Sequence, residues 1–86
     1  MVFIKSESGR YFSLDHIIGF AIEEGMLGQE GRRIGVFKII AYLPEPLQPA
    51  VIGTFLKEES AAKALDKFIG ELGKIEHGKV EIKSEL

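Results

Sequence analysis

Asp15-His16 is an adjacent acid–imidazole pair, and His77 is the only other histidine. A nucleophile triad needs a hydroxyl held about 3 Å from the imidazole, and Ser13, the nearest hydroxyl, follows the alternation of a strand. The pair therefore reads as a corner, with Asp15 capping a turn and His16 turned to solvent. A metal centre needs several His or carboxylate ligands at short spacing. His16 and His77 stand at opposite ends of the chain, so no metal is expected. Glu23-Glu24 and Glu58-Glu59 are neighbours, and neighbours on a strand point to opposite faces instead of converging on one bond. Gly25, Gly28 and Gly31 recur without the Lys-Ser/Thr and helix of a phosphate loop. They read as a mobile hairpin loop with Met26-Leu27 at its tip. Nothing here favours catalysis or a cofactor, and the chain is expected to be non-enzymatic.

A second chemistry mixes cations with rings. Arg10, Tyr11, Arg32, Arg33, Lys38 and Tyr42, with Phe12 and Phe37 among them, lie on strand-like segments. Single-strand nucleic-acid binders stack bases on rings while cations follow the phosphates. In topology only, strands followed by a helix resemble the repeat unit of Pur-alpha-like and Whirly-type nucleic-acid binders, without a sequence motif of either. Against this stand 11 basic and 13 acidic side chains, which give no strong positive field. Nucleic-acid binding is thus the alternative reading.

The elements that must carry these residues follow from periodicity. A period near two predicts strands over 2–6, 10–14, 17–24, 32–43 and 50–56. Twelve residues of strand at ~3.3 Å each is long for this domain, so a bend or bulge is expected, at Gly35. Pro44, Pro46 and Pro49 enclose a loop, since proline cannot donate to a ladder. From Glu58 the period becomes 3.6. Ala61, Ala62, Ala64, Leu65, Phe68, Ile69 and Leu72 fall on one apolar arc, predicting a helix over 58–73 that stops at Gly73. Residues 79–83 form a possible short final strand. Short links force antiparallel neighbours, so the expected fold is a single α+β domain over 1–86: a β-meander of about five strands, then one C-terminal helix packed on the sheet.

Eighty-six residues, 45% hydrophobic with no cysteine, exclude a disulfide framework, thiolate chemistry and a disordered chain. No run reaches the ~20 apolar residues of a bilayer span, and the N-terminus runs into a strand without a leader pattern, so a cytoplasmic protein without membrane contact is expected. Centring the second hairpin on Gly28 sets Ile22 opposite Ile34 and Phe20 opposite Val36. Both sheet faces then come out apolar, while a single helix can cover one. Either the first hairpin folds over the open face as a half-barrel, or a second chain does so. The second option makes this a protein-interaction domain, a homodimer first and another protein partner next. Its candidate interface is Ile18, Phe20, Ile22, Ile34 and Val36, with Met26 and Leu27 of the loop.

Overall fold

A two-residue turn governs the longest pairing in the molecule. The computed structural model describes residues 1–85, and in it Glu30 and Gly31 both have positive φ, 50° and 76°. Such a turn matches the right-handed twist of the strands it joins. It zips β3 (Gly19–Gln29) against β4 (Arg32–Tyr42) without interruption, from Gln29↔Arg32 to Gly19↔Tyr42. Gly25, Met26, Leu27 and Gly28 therefore lie inside β3, and the loop expected there is strand. Ile22 pairs with Ile39 and Phe20 with Ala41, in place of Ile34 and Val36.

The remaining elements are β1 (Val2–Lys5), β2 (Tyr11–Ser13), a 3-10 turn at Leu14–His16, β5 (Ala50–Phe55), α1 (Glu58–Leu72) and β6 (Gly78–Val80). The class is α+β, with the antiparallel meander β3-β4-β5 and the helix packed on it. The strands divide over two sheets: β3-β4-β5, and a smaller one ordered β2-β1-β6. The break falls at the corner, where the Ser13 hydroxyl accepts from the Asp15 N–H at 3.2 Å and turns the chain. β6 runs parallel to β1, Val2↔Gly78 to Ile4↔Val80, a pairing that closes only after the whole meander and helix have been laid down. Gly78, at φ 123°, donates to the Met1 carbonyl at 3.2 Å and begins that strand. The expected bulge lies on β5. Ile39 pairs with Gly53 and Ile40 with Val51, so Ile52 is the extra residue, while Gly35 stays in regular register with Met26.

Alternation then decides the core. Phe20, Ile22, Phe37, Ile39, Ala41, Leu43, Ala50, Ile52 and Phe55 share one face of the large sheet and join one cluster with Ala61, Ala64, Leu65, Phe68 and Leu72 of the helix. Phe20 meets Phe68 edge-on, ring centroids 6.0 Å apart. Val2, Ile4, Phe12 and Val80 bring the small sheet into the same cluster. The first hairpin thus packs on the helix side, not over the other face as a half-barrel would require.

The tail 81–85 runs beside β5 and needs a glycine there. A Cβ on Gly53 would stand 2.9 Å from Ile82 Cγ2 and 3.1 Å from Phe55 Cε2. Two expectations follow. Gly53→Ala should cost about 1–3 kcal/mol, because Ile82 is held by branching at its own Cβ; urea denaturation reads this, and an unchanged midpoint would refute the contact. Glu30→Asn should raise stability by about 1 kcal/mol, since an ordinary L-residue in the left-handed region costs roughly 1–2 kcal/mol and Asn much less. A lower midpoint would mean that Glu30 has a compensating role.

Candidate interaction surface

On the far side of the large sheet, the same register gathers Ala21, Leu27, Ile34, Val36, Ile40, Tyr42 and Val51. Val36 and Ile40 are 1% and 8% exposed, yet both stand outside the core cluster, because they point the other way. Neighbours on their own sheet shield them. Lys38 lays its stem over Gly25, the residue paired with Val36, with Cε 3.2 Å from where a Cβ would be. The Tyr42 hydroxyl donates to the Glu23 carboxylate. Ala21, Leu27, Ile34, Tyr42 and Val51 remain half-buried. Among the described residues, neither the helix nor the small sheet joins this face.

The face continues onto an arm. β5 pairs with β4 only from Phe37 to Ala41, so among the described residues Arg32–Val36 of β4 has β3 alone as a strand partner. From Gly25↔Val36 to Gln29↔Arg32 the hairpin projects roughly 14 Å past β5 at ~3.4 Å per residue. It contributes to a long axis of 42 Å against a shortest extent of 18 Å. A lone two-stranded ribbon is marginal in water. On its helix-side surface Met26 is 57% exposed, and Gly28 and Gly35 leave open space where a Cβ would be.

The two edges of the large sheet differ. The β5 edge is occupied: Glu7 N–H donates to the Val51 carbonyl at 2.9 Å and Glu85 N–H to the Thr54 carbonyl at 3.0 Å. The Glu7 carboxylate accepts from Thr54 Oγ1 at 2.7 Å and Ser84 Oγ at 2.6 Å, which ties the tail to the first hairpin. Among the described residues the β3 edge has no strand beside it. It holds no Lys, no Pro and no bulge, the common devices that blunt an exposed edge, and has only Glu23 and Glu24 as charges.

Of the residues expected at an interface, Leu27, Ile34 and Val36 lie on the uncovered face, Met26 on the other side of the arm, and Ile18 just before β3 at 71% exposure. Phe20 and Ile22 face the helix. The six expected nucleic-acid contacts do not assemble. Arg32 and Arg33 sit at the arm tip on opposite faces, Lys38 and Tyr42 on the uncovered face, and Arg10 reaches over Phe12, 6.0 Å from its centroid. Tyr11 instead gathers Lys5 and Lys79, their ammonium groups 5.9 and 5.4 Å from its ring centroid. Alternation alone places Phe3 with Lys5, but joining them to Lys79 requires the β1–β6 pairing. Asp15 and His16 are exposed on the 3-10 turn, and Ser13 is buried as its cap. Among the described residues no three His, Asp or Glu side chains converge on a point, and no helix is long and apolar enough to cross a membrane. An open groove of about 390 Å³ between α1 and the tail carries Lys67, Lys83, Glu71 and Glu81. Comparison with protein-family models, with curated proteins and with solved structures finds no match to this chain.

Proposed function

We propose that the protein is a small interaction domain that works by association and not by catalysis, pairing with a second copy of itself through the outer face of β3-β4-β5. The observation that carries this reading is the outer face, where the apolar side chains of Leu27, Ile34 and Val51 stay half-buried and none of them joins the helix-side core cluster. Apolar surface left in water forgoes about 25 cal/mol per Å², and contiguous patches of this kind mark interaction sites. The face runs about 37 Å along β3 and β4, two strands wide on the arm and three only where β5 pairs, from Phe37 to Ala41. Two such patches stacked exclude on the order of 1,000 Å², the lower range for a specific interface. The charges suit an antiparallel stack about a twofold axis. Arg32 lies near the arm tip and Glu23 near its base on this same face, so each arginine approaches the other chain's glutamate. The stack would also brace the arm, which extends past β5 as a two-stranded ribbon.

Size-exclusion chromatography with light scattering, from low to high micromolar, tests the proposal. The expected mass is twice 9.5 kDa. Ile34→Lys and Leu27→Lys should weaken the dimer at least about tenfold, each buried large apolar side chain being worth ~1.5–3 kcal/mol, while circular dichroism stays native. Met26→Lys, on the opposite side of the arm, should leave the mass unchanged. A monomer at every concentration sinks the reading. So does a dimer that survives both outer-face substitutions and dissociates with Met26→Lys.

A further inference from the structure

We infer that the outer face of the small sheet is a docking platform for single-stranded nucleic acid, a surface separate from the proposed dimer face. β2-β1-β6 turns Val2, Ile4, Phe12 and Val80 into the core, so alternation turns Phe3, Lys5, Tyr11 and Lys79 outward. Tyr11 is 50% exposed and Phe3 37%, unusual for rings with a core available beneath them. Register explains how the four meet: Lys5 pairs with Tyr11, and Phe3 with both Ser13 and Lys79. Two like charges thus converge on one exposed ring, 5.9 and 5.4 Å from its centroid. An anion seated between the ammonium groups relieves their repulsion, and a planar group covers the rings. Nucleotides supply both.

Size argues for a polymer. The depression formed by Lys5, Tyr11, Lys79, Val80 and Glu81 holds about 100 Å³, well below the ~300–1,000 Å³ of a site that encloses a small molecule. A ligand here is touched at one or two units, so its affinity must come from the neighbouring units of a chain. Duplex nucleic acid buries its base faces in its own stack and leaves Phe3 and Tyr11 without a partner. A single strand presents a base face and a phosphate at each step. Glu81 also lines the depression, and its carboxylate opposes a phosphate there, so contact with the anion falls to Lys5 and Lys79.

Fluorescence anisotropy of a labelled thymidine oligonucleotide of about ten residues tests this. Binding is expected at ~50 mM salt, weakening about sevenfold by 200 mM, the slope for two phosphate contacts on a single strand. Tyr11→Ala should weaken it at least about fivefold through lost stacking. Lys79→Gln should halve the salt slope, a readout that loss of folding does not mimic. Both side chains are exposed, and circular dichroism confirms that the variants fold. No binding at 50 mM salt overturns the inference, as does unchanged affinity in both variants. Equal binding of a duplex or of inorganic polyphosphate also overturns it, since the site would then read charge alone. Ile34→Lys should leave the per-chain affinity unchanged, which separates this surface from the dimer face.

Discussion

A slip of one residue between β3 and β4 would turn Phe20 and Ile22 away from the helix and bring Ala21 and Glu23 to it. The register of this one hairpin therefore determines what the core contains and what the other face displays. The Glu30-Gly31 turn sets it, with both residues at positive φ, and the eleven-residue ladder propagates it without a bulge to the base of the sheet. Phe20 reaches Phe68 only because that ladder stays in phase over its whole length. The arm follows from the same fact. A turn placed this far out forces β3 and β4 to extend past the end of β5, and the hairpin leaves the core behind.

The large sheet is closed on one side and along one edge. Helix and small sheet both pack on the inner face, so their apolar surfaces reinforce one core instead of covering two. Along β5, Glu7 and the tail 84–85 take up backbone and side-chain groups that a further strand would otherwise satisfy. Gly53 admits Ile82 at that edge, where any Cβ would push it out. The outer face and the β3 edge receive no such cover among the described residues. Two exposed surfaces result, on opposite sides of the layered structure: an apolar face on the meander and a small aromatic and cationic face on β2-β1-β6. Their chemistries differ: the first is largely aliphatic, the second joins exposed rings to lysines.

Much of this was legible in residue order. The switch of period at Glu58 located α1 to within a residue, while the even–odd pattern of Phe37, Ile39, Ala41 and Leu43 put these four on one face and left open whether the helix covers it. The β3 side was inverted. Three glycines near Gly28 looked like the turn, while the operative signal was the single Gly31 preceded by a glutamate, an uncommon residue for the left-handed region. Ile22 meets Ile39 and not Ile34, an offset of five residues, and an odd offset exchanges faces on one strand only, which sets Phe20 and Ile22 outside in the sequence reading. The two-sheet division was also hidden, because a corner such as Ser13-Leu14-Asp15 looks like any short link until pairing partners are known. Lys5, Lys79 and Phe3 escaped notice as a group for the same reason.

By itself, the sequence determined the local and the additive: which segments repeat at two and which at 3.6, that a chain of this composition folds, and that one helix cannot cover two apolar faces. Those properties depend on near neighbours and on sums over the chain, which residue order contains in full. Tertiary structure alone decided which strands pair, in what phase, and hence which side chains share a face. A pairing between Phe3 and Lys79 joins positions from the two ends of the chain, and its direction depends on how everything between them has already packed. Candidate surfaces belong to that second class, since a face exists only once strands distant in sequence stand side by side.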